Sequence, residues 1–276
     1  MTASASALAM QGVIRRDPVG FCRKILNFAR WSKQREILES VRDHKRTAVR
    51  SGHGVGKTAI SARAALWFMA AHPYSRVITT APTWSQVKEQ FWREIHVAHS
   101  RADAFFDGQL DDTRLELGPD WFMLGISTDR PERFAGHHAE HLLLVVDEAS
   151  GVSEDIFEAA ETFLTSPGAK VLMIGNPTVN SGTFHAAFHR DRADWSRISI
   201  SALDSPASAA SRSPMRFFAG SCRGSGWRTR ASGGVRSRRF SRCASWASFR
   251  RALTTRFARW EILSSRSVSG SSPLRR

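Results

Sequence analysis

Residues 51–58 read Ser-Gly-His-Gly-Val-Gly-Lys-Thr, placed between a short β-type run, Thr47–Arg50, and a longer segment at helical period, Thr58–Ala71. A chain that enters a glycine loop as a strand and leaves it as a helix has few folds open to it. Gly52, Gly54 and Gly56 permit the positive φ values and close backbone approach of a phosphate-binding nest. The helix start adds free N–H groups and partial positive charge. Lys57 supplies an ammonium for the β/γ-phosphates, and Thr58 a hydroxyl for Mg²⁺. The full phosphate-loop pattern is G-x-x-x-x-G-K-[ST], and Ser51 stands where its first glycine would be, leaving a hydroxyl able to donate toward phosphate. Ser51, Gly52, His53, Gly54, Val55, Gly56, Lys57 and Thr58 are together the candidate phosphate contacts.

A second segment completes the chemistry. Leu142–Val146 is an unbroken apolar run, as expected of a strand buried on both faces, and it ends in Asp147-Glu148. At the carboxyl edge of a parallel sheet these acids face the glycine loop, where such folds bind ligands. Asp147 is the candidate Mg²⁺ holder, through water. Glu148 is the candidate catalytic base that orients and deprotonates an attacking water. Neighbouring side chains on a strand point to opposite faces, which suits two separate roles. The competing reading is an acidic strand-to-helix turn, with Asp147 or Ser150 as a cap. Loop and carboxylates together predict ATP and Mg²⁺ as the ligands.

The rest of the chain frames these motifs. Asp17-Pro18 signals a helix start, Phe21, Ile25 and Phe28 recur at helical spacing, and Ile37, Leu38 and Val41 share one helical face. Ile60, Ala64, Trp67, Phe68 and Ala71 form one stripe of the helix after the loop. Strands are expected at Val77–Thr80, Arg114–Leu117, Trp121–Ile126, Ala169–Ile174 and Trp195–Ile200, with helices at Ser85–His99 and Ser153–Leu164. This alternation predicts an α/β fold of P-loop NTPase (RecA-like) type, with a largely parallel central sheet flanked by helices. Residues 1–16 read as a flexible arm, 17–205 as the P-loop domain, and 206–276 as a separate tail.

The net charge of +15 dissolves when it is located. Met1–Ser205 carries 24 basic and 24 acidic residues, so the excess lies wholly in the tail. Cys22, Cys222 and Cys243 form neither a disulfide framework nor a zinc spacing, in keeping with a reducing cytoplasm. No run approaches the ~18 apolar residues of a membrane span, and Met1–Met10 lacks the features of a signal peptide.

With both motifs placed, the chain from about Asp17 to Pro206 resembles the large terminase subunit of tailed bacteriophages. The resemblance rests on Trp31-Ser-Lys-Gln34, Ser51–Thr58, Ala81-Pro-Thr-Trp-Ser-Gln-Val87, Arg130-Pro-Glu-Arg-Phe134, Val145–Ser150 and Ile174-Gly-Asn-Pro-Thr178, in this order. It implies an ATP-driven motor that moves dsDNA into a procapsid in the bacterial cytoplasm. The implied partners are a small terminase subunit, a portal protein and further copies of the chain in a ring. It also implies that Gln34 reads the adenine edge. Asn176 and Thr178 would sense the γ-phosphate at a strand end and link hydrolysis to movement. An arginine on the transition-state charge is required, and Arg50, Arg130 and Arg133 are the candidates.

Such subunits usually carry a nuclease domain, expected after Leu203–Pro206. The 71 residues from Pro206 onward hold 16 Arg, 16 Ser, no Lys and one acid, Glu261, with no periodicity to bury a core. This composition is what G+C-rich DNA encodes out of frame, so a frameshift near codon 206 is one reading. A genuine basic arm that binds phosphate backbones is the other. Two-metal cleavage needs several converging carboxylates, and Glu261 is one. The chain is therefore expected to leave plasmid DNA intact in Mg²⁺ or Mn²⁺, and metal-dependent nicking on a gel would overturn that expectation. Alternatives to a working motor are an inactive prophage remnant that binds nucleotide or DNA without turnover, and a P-loop helicase fragment.

Overall fold

The computed structural model describes residues 5–29, 31–103, 105–128, 137, 139–161 and 164–205. Within them one eight-stranded sheet organises the chain, in the order β3-β4-β5-β2-β6-β7-β1-β8. The strands are β1 (Arg46–Ser51), β2 (Arg76–Thr80), β3 (Gln109–Asp111), β4 (Arg114–Gly118), β5 (Trp121–Gly125), β6 (His141–Asp147), β7 (Gly168–Gly175) and β8 (Ser196–Ile200). From β5 to β8 every neighbouring pair is parallel; β3, β4 and β5 form an antiparallel ribbon at one side. The expected α/β class is what the sheet shows. β3 was not foreseen, being three residues long with little burial.

The helices are α1 (Ala5–Arg16), α2 (Pro18–Lys24), α3 (Ser32–Asp43), α4 (Lys57–Ala71), α5 (Arg93–His99), α6 (Glu154–Glu161) and α7 (Gly182–Ala186). Alternation along the strands sorts two cores. Val49, Val77, Leu143, Val145, Leu172 and Ile174 pack with residues of α1–α5 on one face. Ala48, Ile78, Leu142, Leu144, Val146, Val171 and Met173 pack with α6 and α7 on the other. β6 and β7, in the middle of the parallel part, thus have both faces covered, which explains their largely apolar runs.

Asp17 caps α2 as read, its carboxylate accepting from Gly20 N at 2.6 Å, with Pro18 at the first position. The flexible arm expected over 1–16 is corrected: α1 occupies Ala5–Arg16. Tertiary contact holds it, for Ile14 is buried and its carbonyl accepts from Trp67 Nε1 at 2.8 Å. The single stripe expected on α4 is also corrected, because every residue from Ile60 to Ala71 is buried. Alanines at 62, 64, 65, 70 and 71 let neighbouring elements close around it. Its one charge in that stretch, Arg63, pairs with Glu94 and lies 4.5 Å over the Phe28 ring, which offsets the cost of burial. The Ser85–His99 helix begins with a π-helical stretch at Gln86–Trp92 before α5. No helix among the described residues is long and apolar enough to cross a membrane. The tail 206–276 lies outside the described residues.

Candidate active site

β7 lies between β1, which feeds the loop, and β6, which carries the acids. That order brings three strand ends to one edge: Ser51 of β1, Gly175 of β7 and Asp147 of β6. Residues far apart in sequence therefore converge over the start of α4.

Gly54 and Gly56 adopt left-handed backbone, with φ of 72° and 76°, and Gly56 heads α4. Gly52 is also held close to a neighbouring turn. A side chain there would come within 2.9 Å of Ala202 Cβ, and Gly52 N donates to Ile200 O at 3.1 Å. Its smallness seats the loop against the turn after β8. Ser51 is buried and its Oγ has no hydrogen-bond partner.

Lys57 Nζ lies 2.9 Å from Glu148 Oε1 and donates to Asn176 Oδ1 at 3.2 Å. Thr58 Oγ1 donates to Asp147 Oδ2 at 2.8 Å, and Glu148 N to Asp147 Oδ1 at 3.1 Å. Glu148 sits at φ 48°, ψ 44°, a left-handed conformation that costs a non-glycine residue about 1–3 kcal/mol. This turn corrects the expectation of opposite faces. Glu148 has left the strand, so its carboxylate swings back to Lys57 beside Asp147. The competing cap reading fares poorly. Glu148 heads the short 3₁₀ turn Ala149–Gly151 with no side-chain cap bond, and Ser150 Oγ instead pairs with Thr178 Oγ1 at 3.0 Å.

The remaining predicted residues divide. Asn176 is buried and joins the cluster; Thr178 reaches Ser150 and bonds backbone to Asn176 O at 2.9 Å. Gln34 is buried under the loop, its Nε2 donating to Val55 O at 3.4 Å. Val55 itself is buried in the core. Arg50 turns to the β8 side, with Nε donating to Ser199 Oγ at 2.8 Å and its guanidinium 5.0 Å over Phe188. Arg130 and Arg133 lie outside the described residues. The contact missed in the sequence is that of the His53 ring, whose nitrogens lie 3.0 and 3.2 Å from Asn176 Nδ2. A glycine loop signals backbone chemistry and says nothing about a side chain pointing from it.

The Thr58 hydroxyl and the Asp147 carboxylate form an oxygen donor pair of the kind Mg²⁺ takes, with waters and phosphate oxygens filling the rest of its shell. Among the described residues there is no group of three or more His, Cys, Asp or Glu that could form an all-protein cage. Burial supports the fit. Asp147 is 2 % exposed, and desolvation, opposed by the Thr58 hydrogen bond and aided by the Glu148 charge, pushes its pKa from 3.8 to about 6. A buried carboxylate so penalised gains from a cation.

The same shift has a stability consequence. The folded protein holds the Asp147 proton more tightly than the unfolded chain does. The ionised carboxylate therefore destabilises the free protein fully above about pH 6, and this cost vanishes as pH falls to 3.8. Two units correspond to an upper bound of ~3 kcal/mol. Asp147→Asn is expected to raise the melting temperature of nucleotide-free protein at pH 7.5, with the gain shrinking toward pH 4.5. A gain that does not change with pH would contradict the assignment.

The sheet order and the loop define a P-loop NTPase fold. A family model described as an AAA domain matches residues 34–181, more than half of the chain, and the chain belongs to that family. The chain is 34% identical over 169 residues to a probable large terminase subunit of Enterobacteria phage P7. That match covers 57% of the chain and 34% of the relative, so the chain spans about a third of the length of the curated protein it matches. The fold is shared with the large terminase ATPase domain of Thermus phage P74-26, at TM-score 0.56 and 21% identity, covering 68% of this chain and 87% of that one. It is shared also with the large terminase of a thermophilic bacteriophage in complex with ADP, at TM-score 0.51 and 15% identity, covering 61% and 44%. The resemblance read from the motifs is the one these comparisons return.

Proposed function

We propose that the chain is the ATP-hydrolysing motor part of a phage DNA-packaging terminase. The observation that carries this is the convergence of Lys57, Thr58, Asp147, Glu148 and Asn176 from separate segments within hydrogen-bonding distance at one sheet edge. In the free protein Lys57 is held by Glu148 and Asn176. A triphosphate placed on the loop N–H groups competes for the ammonium. Lys57 then turns to the β/γ-phosphates, and Glu148 is released to a water beyond the γ-phosphorus. Glu148 takes that water's proton as the oxygen attacks, the bond from γ-phosphorus to the β-bridging oxygen breaks, and ADP and phosphate leave. Thr58 and Asp147 would hold Mg²⁺, and the chemistry it would supply is neutralisation of phosphate charge. Gln34, already against the loop, would read the adenine edge, as one relative in this fold class is an ADP complex.

The work done by the cycle would be movement of dsDNA, with Asn176 and Thr178 carrying the state of the phosphate to the segment after β7. Small terminase subunit, portal protein and a ring of this chain are the proposed partners, and the bacterial cytoplasm the proposed place. The test is phosphate release from ATP by purified protein, with and without EDTA and linear dsDNA. Mg²⁺-dependent release supports the reading. Full-length, folded protein that binds ATP and never turns it over would replace the motor with a nucleotide-binding remnant.

A further inference from the structure

The phosphate loop binds through backbone N–H groups, so nothing in that chemistry uses the side chain at position 53. Yet His53 is exposed and turned onto the end of β7. Asn176 Nδ2 lies 3.0 Å from its Nε2 and 3.2 Å from its Nδ1. The other end of the same amide is tied down, since Lys57 Nζ donates to Asn176 Oδ1 at 3.2 Å.

The lysine contact fixes the orientation of the amide. An ammonium only donates, so the oxygen of the Asn176 amide must face Lys57. The nitrogen then faces the His53 ring, nearly equidistant from its two nitrogens, and an amide nitrogen only donates, so the ring is the accepting side of this contact. A chain of contacts runs His53–Asn176–Lys57–Glu148 across the loop mouth. When a terminal phosphate draws Lys57 away, the amide loses its hold at Oδ1. What keeps its nitrogen turned to the loop is the His53 ring.

We propose that His53 is a positioning residue that fixes the Asn176 amide, nitrogen toward the loop, for donation to the terminal phosphoryl oxygen of a bound triphosphate. This rests on the nucleotide-hydrolysing reading above and deepens it. His53 acts through Asn176 and gives the loop a side-chain tie to β7. Without it the amide rotates freely once Lys57 departs, and the site loses part of its preference for a triphosphate over a diphosphate.

The test compares binding of ATPγS and ADP by calorimetry, alongside ATP turnover. His53→Ala is expected to lower the ATPγS-to-ADP preference roughly three- to tenfold, the scale of one hydrogen bond, with kcat falling more than KM rises. His53→Gln returns an acceptor oxygen and is expected to recover most of the loss; His53→Lys, a donor only, is expected not to. The double variant His53→Ala with Asn176→Ala should be no worse than Asn176→Ala alone. Unchanged discrimination in His53→Ala, no recovery in His53→Gln, or additive losses in the double variant would each overturn the role of His53. Wild-type protein without affinity for ATPγS would instead overturn the functional reading, and this inference with it. Because His53 is exposed, the single variants at position 53 should melt with wild type, so their loss of preference is not a loss of fold.

Discussion

Glu148→Gln is expected to lower ATP hydrolysis by about 10²–10⁴-fold while nucleotide binding persists. The substitution keeps size and shape but cannot accept a proton from water. It also removes the charge that holds Lys57 at 2.9 Å in the free protein. The ammonium is then freer to meet a triphosphate, so affinity for ATP should hold or rise as turnover collapses. Phosphate release and ATPγS binding measured on the same preparation separate the two effects. A variant that hydrolyses at the wild-type rate would move the base to another residue.

Lys57→Ala is expected to damage both steps. Charge-assisted hydrogen bonds to phosphate contribute about 1.5–3 kcal/mol, so affinity should fall roughly ten- to a hundredfold. Turnover should fall further, since the ammonium is aimed where charge grows in the transition state. The free protein changes as well. Lys57 is one of the influences that lower the Asp147 pKa, and removing it leaves Glu148 unpaired beside an already penalised carboxylate. Asp147 should then titrate higher still, and the variant should need more Mg²⁺ and higher pH for whatever turnover survives. Equal ATP affinity in wild type and variant would show that the triphosphate does not lie on this loop.

Much of this is legible in the amino-acid sequence. The runs at β6 and β7 are apolar because both faces of those strands are covered, and the local signals at β1, β2, β6, β7 and β8 place each strand within a residue or two. The Asp17 cap and the loop-to-helix exit at Gly56 are likewise local. Legibility failed where a neighbour decides the outcome. Ala5–Arg16 has little pattern of its own and is helical alongside Trp67 and Ala71. α4 shows a stripe in sequence but lies wholly enclosed, since alanines read as neutral until helices close over them. Nothing local shows that Gly52 also has to leave room for Ala202, which arrives from the far end of the domain.

The amino-acid sequence by itself determined the chemical inventory: a loop able to cradle phosphate, one ammonium, one hydroxyl, two carboxylates and an α/β frame whose strand ends present them. It did so because phosphate nests, buried strands and caps are written in runs of a few residues. The tertiary structure alone decided which groups meet. Only the sheet order, with β7 between β1 and β6, brings Asn176 to Lys57 and His53. Only the left-handed turn at Glu148 swings its carboxylate to the side of Asp147. Both follow from long-range packing, in which the energy of a contact depends on residues that no local window contains.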